Sequence, residues 1–117
     1  MHEELRPVVW LASSRDDIAE MPKSVRGSFG IRLQDIQRGR MPPGTTALTQ
    51  FGPGVFEMRE SHHGNAFRMM YVLKLRKAIY VLHVFMKKSK SGIGLPKPDA
   101  NLIAARLKRA KEMDAEN

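Results

Sequence analysis

The chain of 117 residues contains no cysteine, which excludes disulfides, thiolate metal sites and cysteine nucleophiles. No apolar run approaches the roughly 20 residues that a membrane helix requires. A glycine-rich phosphate loop, a paired metal-ligand spacing and a nucleophile motif are also missing. His62 and His63 are adjacent in a loop, and neighbouring side chains rarely converge on one metal, so no cofactor is expected. The opening Met-His-Glu-Glu is acidic where a signal peptide is basic, and the expectation is a cytoplasmic protein. Acidic residues are scarce in the second half. Residues 1–58 hold seven Lys/Arg and seven Asp/Glu, whereas residues 59–117 hold thirteen against five, the whole net charge of +8. A one-sided basic surface suits a polyanionic partner, either nucleic acid or an acidic protein; the alternative is a solvated face that aids solubility.

What is present is enough for a folded chain. Apolar residues make up 42%, and the length fits one domain spanning residues 1–117. The stretch from Ala66 to Lys90 dominates. It reads as two apolar strands joined at Leu75-Arg76-Lys77, rich in the β-branched and aromatic residues that suit a pleated, buried surface. On the first strand Phe67, Met69, Tyr71 and Leu73 alternate with Ala66, Met70 and Val72. On the second, Ile79, Val81 and Phe85 are expected on one face and Leu82, Val84 and Met86 on the other. A hairpin apolar on both faces belongs at the centre of a sheet. Arg68 interrupts it, a permanent charge in an apolar strand.

Around that hairpin the chain is punctuated clearly. Val8 to Leu11 reads as a first strand, and Ser14 as the N-cap of a short helix with Asp17 in the capping-box position. Pro22 opens a second helix whose stripe is Val25, Phe29, Leu33 and Ile36, closed by Gly39. Ala47 to Phe51 and Val55 to Arg59 read as strands, separated by the turn Gly52-Pro53-Gly54. Asp99 is expected to cap a last helix with Ile103, Leu107 and Ala110 on its buried side. The order is β-α-α-β-β-β-β-α, an α+β fold. A small antiparallel sheet carries an N-terminal helical hairpin on one face, with the C-terminal helix along an edge or near the open face.

Basic and aromatic groups gather on the later strands: Arg59, Arg68, Tyr71, His83, Phe85, Lys87 and Lys88. Such an inventory serves RNA cleavage without a metal. The 2′-hydroxyl attacks the neighbouring phosphate, a base removes its proton and an acid protonates the leaving oxygen. A guanidinium can stabilise the charge of the phosphorane, and aromatic rings can stack on splayed bases. Each residue also has a structural reading. Arg68 can pair with Glu57 or Glu60, Tyr71 and Phe85 can be core, His83 can be a hydrogen-bonded core histidine, and the lysines can be a solvated strand end.

Several stretches carry a resemblance over nearly the whole chain: VVWLASSRDDIAEMP, GVFEMRE, AFRMMYVLKLRKAIYVLHVFMKKSKS and NLIAARLKRAKEM. They resemble the phage-derived branch of the RelE/HigB toxin superfamily, most specifically at Phe67-Arg68 with Tyr71 and at Leu82 to Ser89. The resemblance implies the toxin of a type II toxin–antitoxin pair, an endoribonuclease that cuts mRNA on the ribosome and is held by a small helix-turn-helix antitoxin of the HigA kind. It implies Arg59 and Arg68 as phosphate and transition-state contacts. Lys87 and Lys88 follow as phosphate binders with acid/base work, and Tyr71 as an auxiliary proton donor or a structural group. Phe85 becomes a base-stacking or site-wall residue. Lys90, Arg106 and Arg109, from the basic second half, are expected to contact the RNA. The chain departs from the family pattern at Ser91-Gly92-Ile93-Gly94-Leu95-Pro96. A ParE-like toxin acting on gyrase, or a noncatalytic RNA- or ribosome-binding module, remain the alternatives.

Overall fold

The computed structural model describes residues 5–87 and 95–116. Its elements are β1 (Val8–Trp10), α1 (Ser14–Ala19), α2 (Lys23–Gln37), β2 (Thr45–Ala47), a 3-10 turn (Thr49–Phe51), β3 (Val55–His62), β4 (Asn65–Val72), β5 (Ile79–Lys87) and α3 (Lys97–Ala115). They form an α+β fold around one five-stranded sheet in the order β1-β5-β4-β3-β2, with β4 at its centre. Strands β2 to β5 are antiparallel neighbours. The sheet is mixed, because β1 joins β5 in parallel, with Val8 opposite Ile79 and Trp10 opposite Val81.

Both faces of the sheet are covered, which explains why β4 and β5 are apolar on both sides, with Arg68 and His83 the exceptions in their interiors. On one face the α2 stripe Val25, Phe29, Leu33 and Ile36 packs on Met58, Met69, Tyr71, Ile79, Val81 and Val84. On the other, Ile103, Leu107 and Ala110 of α3 pack on Val55, Met70, Val72, Tyr80 and Leu82. The spacing of four, four and three that marks α2 in the sequence is therefore its core face. Helix α3 takes the face opposite α2. Ser14 is not the cap of α1 but its first residue, buried, with its hydroxyl donating to the Val81 carbonyl at 3.4 Å. The residue before it, Ser13, donates to the Asp17 carboxylate at 2.8 Å.

The expected alternation along β5 fails at one point. Met70 lies opposite His83 and Tyr71 opposite Val81, so Leu82 is an extra residue in the strand. This β-bulge resets the parity. Ile79 and Val81 face α2, yet after the bulge it is Val84 and Met86 that do so. Phe85 sits instead with Tyr80 and Leu82 on the α3 face. A regular strand would have sent Phe85 the other way.

The connection between β4 and β5 is fastened by two charged side chains, the half-buried Arg6 and the buried Asp114. Arg6 donates to the carbonyls of Leu73 at 2.8 Å and Leu75 at 2.6 Å. From the end of α3, Asp114 accepts from the backbone N–H of Arg76 at 2.8 Å and of Lys77 at 2.7 Å, and from the Tyr80 hydroxyl at 3.0 Å. Burial alone would raise the Asp114 pKa, but these hydrogen bonds outweigh it and hold the carboxyl below its ordinary value. A carboxylate depressed in the folded state stabilises the fold above its unfolded pKa of about 3.9 and loses that contribution as pH falls through the lower folded value. Asp114→Asn is accordingly expected to lower the melting temperature at pH 7, with the gap to wild type closing below about pH 4. A pH series of thermal melts checks this; a constant gap down to acid would refute it.

Candidate functional site

Strand pairing collects the functional candidates. Arg59 lies opposite Arg68, and Arg68 opposite Phe85, so one cross-strand row carries all three. Period-two alternation places Glu57, Arg59 and Arg68 on the α3 face, and the bulge adds His83 and Phe85. At the centre is Glu57, only 1% exposed. Arg68, 3% exposed, grips it in bidentate fashion: Nε donates to Oε1 at 2.5 Å and Nη2 to Oε2 at 2.8 Å. Arg59 donates from Nε to the same Oε1 at 2.7 Å, while its side chain stays 59% exposed.

The charge balance of this cluster follows. Burial would raise the Glu57 pKa, but hydrogen bonds from Arg68 and then Arg59 override it and hold the carboxyl below its usual range. One carboxylate then faces two guanidinium groups, leaving a net positive charge fixed in position. Arg68 keeps one buried donor, Nη1, without a hydrogen-bond partner among the described residues. The guanidinium lies 5.6 Å from the centre of the Phe85 ring. That ring stacks on His83 at 4.6 Å with 16° between planes, and His83 Nε2 meets Asp99 Oδ1 at 2.8 Å. Asp99, expected as a helix cap, instead belongs to the first turn of α3 and ties that turn to β5. A guanidinium pair, an aromatic ring and an open side formed by Arg59 can receive a phosphate and a flat base together.

Not every expected residue joins. Lys87 ends β5 opposite Ala66, on the Phe85 face by alternation. Lys88 and Lys90 lie outside the described residues. Tyr71 is on the wrong side: three residues from Arg68 on the same strand, it faces α2, fully buried and stacked on Phe56 at 5.9 Å. Burial pushes its phenol pKa up to about 12, with Thr45 and Arg32 opposing. It cannot serve as a proton donor in a site across the sheet, and the odd spacing from Arg68 already carried that information. Any activity that the cluster across the sheet carries is therefore expected to survive Tyr71→Phe within about twofold, because the lost hydroxyl touches nothing on that face. Single-turnover rates on one transcript decide it; a hundredfold loss would put the phenol back in the chemistry.

Arg106 and Arg109 also stand apart. Arg106 donates to the Leu82 carbonyl at 2.9 Å and to the Ser13 hydroxyl at 3.2 Å, and burial pulls its pKa below the ordinary guanidinium value, with Asp17 opposing. Arg109 is 56% exposed and lies 3.7 Å from Glu112 and 3.6 Å from Glu116 of its own segment. Sequence reasoning missed the central part of Glu57, although it named that residue as a partner for Arg68. The histidine pair His62 and His63 meets edge to face at 4.2 Å, with His62 Nδ1 3.0 Å from the Ser24 hydroxyl. Among the described residues no three His, Asp or Glu side chains stand together to hold a metal. No helix there is long and apolar enough to cross a membrane.

Comparisons with known proteins fit this architecture. A search of curated proteins returns no match. Among solved structures, the chain is similar to that of the E. coli toxin RelE, a mutant with two arginines replaced by alanine, in the free state. The TM-score is 0.57 at 11% identity, covering 90% of this chain and 97% of that one, which shows a shared RelE-type fold. The model of the family described as Phage derived protein Gp49-like (DUF891) matches residues 16–108, from α1 into α3 and across the whole arginine cluster. With most of its length matched, this chain belongs to the phage-derived Gp49-like family and carries the RelE toxin fold.

Proposed function

We propose that the protein is the toxin of a type II toxin–antitoxin pair and works as an endoribonuclease on mRNA at the ribosome. The observation that carries the proposal is the Glu57-centred pair Arg59 and Arg68 set against Phe85 on one face of the sheet. Arg59, largely exposed, meets a backbone phosphate first. Arg68, held rigid by Glu57, keeps Nη1 buried and unpartnered behind Arg59, a donor for a second phosphate oxygen that enters the cluster. Phe85 forms the apolar wall beside the splayed nucleotide. The 2′-oxygen then forms a bond to phosphorus while the bond to the 5′-oxygen breaks, leaving a 2′,3′-cyclic phosphate and a 5′-hydroxyl. Charge gathers on the phosphorane oxygens, where preorganised guanidinium groups act most strongly. Lys87, at the end of β5, takes the proton of the 2′-hydroxyl and passes it to the departing 5′-oxygen.

A partner follows from the same reading: a small antitoxin with a helix-turn-helix DNA-binding part, which silences the toxin and represses its own gene pair. The test is induction of the wild-type chain in growing cells with mapping of mRNA 5′ ends. Growth arrest with new ends inside translated frames is the expected result. Arrest with intact transcripts would overturn the nuclease reading, and DNA damage preceding arrest would point to gyrase.

A further inference from the structure

His83 and Phe85 join Glu57, Arg59 and Arg68 on the α3 face because β5 carries an extra residue at Leu82. Upstream of it, Ile79 and Val81 face α2; downstream, Val84 and Met86 do, and His83 and Phe85 are turned toward Glu57 and Arg68. A bulge interrupts the ladder and leaves backbone groups in need of other partners. Here the adjoining carbonyls are taken by groups from two other elements. The Val81 carbonyl accepts from Leu11 N–H at 3.0 Å and from the Ser14 hydroxyl at 3.4 Å. The Leu82 carbonyl, at the bulge itself, accepts from Arg106 Nη1 at 2.9 Å. Arg106 Nη2 reaches Ser13 at 3.2 Å, and Ser13 in turn holds Asp17 at 2.8 Å.

We infer that Arg106 is a positioning residue: by clamping the Leu82 carbonyl it locks the bulge in register and so aims His83 and Phe85 at the arginine cluster. The inference rests on the proposed RNA cleavage for its consequence, though not for its geometry. Arginine suits the task because its planar fork reaches two acceptors on different elements at once, which a lysine ammonium on a flexible stem does less well. Without the clamp the extra residue can migrate along β5. A shift of the bulge past Phe85 would turn that ring to the α2 face and remove it from Arg68.

The test compares Arg106→Ala and Arg106→Lys with wild type by NMR and by single-turnover cleavage. For Arg106→Ala, nuclear Overhauser contacts between Met70 and His83, and between Arg68 and Phe85, are expected to weaken. Amide exchange at Leu82 and His83 should speed up by at least tenfold, while α2 stays protected. Cleavage should drop at least tenfold in rate and RNA binding should weaken as Phe85 leaves its place beside the nucleotide, and Arg106→Lys should recover part of both. Unchanged contacts and exchange at His83 and Phe85 in Arg106→Ala would overturn the inference. Should wild type cut no RNA, the proposed function falls, and the contacts and exchange rates still decide the clamp.

Discussion

On the proposed nuclease function, Arg68→Ala is expected to lower RNA cleavage by about 100-fold or more, the scale on which a single preorganised donor to a developing oxyanion acts. The same substitution costs stability, because it strands the Glu57 carboxylate, 1% exposed, with Arg59 alone. Breaking a buried pair by removing one member costs about 3–5 kcal/mol, since the remaining charge is left in a poorly solvated site. The two effects must be separated, and a double substitution does so. Glu57→Leu with Arg68→Met replaces the pair by apolar side chains of similar volume, a change that is often neutral for stability. Stability measured by urea unfolding should therefore recover toward wild type in the double variant, while cleavage stays abolished. Recovery of cleavage along with stability would mean that Arg68 supports the fold and takes no part in the reaction. Glu57→Gln adds a finer measure: a neutral amide cannot hold two guanidinium groups, so both cleavage and stability should fall.

The largest purely structural effect is expected at Phe29. Its ring is fully buried in the stripe of α2, within the layer formed with Met58, Met69 and Tyr71, and Arg32 lies 5.3 Å from its centre. It also forms one wall of an apolar cavity of about 300 Å³ between α1 and α2, lined in addition by Trp10, Ile18, Leu33 and Met69. Phe29→Ala removes the ring from that wall, so the void enlarges where its surroundings cannot collapse to fill it. The expected loss is about 3–5 kcal/mol, the usual range for a buried Phe reduced to Ala. Against a typical total of about 5–15 kcal/mol this leaves a marginal fold. Ile31, two residues along the same helix and 66% exposed, is the control: Ile31→Ala should stay within about 0.5 kcal/mol of wild type. Urea unfolding of the three proteins measures both; equal losses at the two positions would show that α2 does not pack as described.

Much of this protein was legible in its sequence, for reasons of periodicity. The stripe Val25, Phe29, Leu33 and Ile36 needed only the helical repeat to announce a core face, and Ile103, Leu107 and Ala110 did the same for α3. Alternation on β4 put Tyr71 opposite in sense to Arg68, although the resemblance to nuclease toxins drew it into the site. A charge in an apolar strand marked Arg68, because such a group must find a partner when buried. Periodicity is a local property, and local properties are what a sequence displays directly.

The tertiary structure alone decided what depends on two distant segments meeting. The bulge at Leu82 leaves no mark in the pattern, since Leu82, Val84 and Phe85 are all apolar and fit either face. Nor could spacing predict that Arg106 would spend its guanidinium on a carbonyl of β5, or that Asp99 would pair with His83. The parallel pairing of β1 with β5 likewise joins residues about seventy positions apart, as the register of Val8 with Ile79 shows. These are choices among contacts of similar local cost, settled by which arrangement buries the apolar faces and satisfies the backbone together. The sequence determined which residues are core and which carry charge; only the packed sheet determined which of those charges face one another.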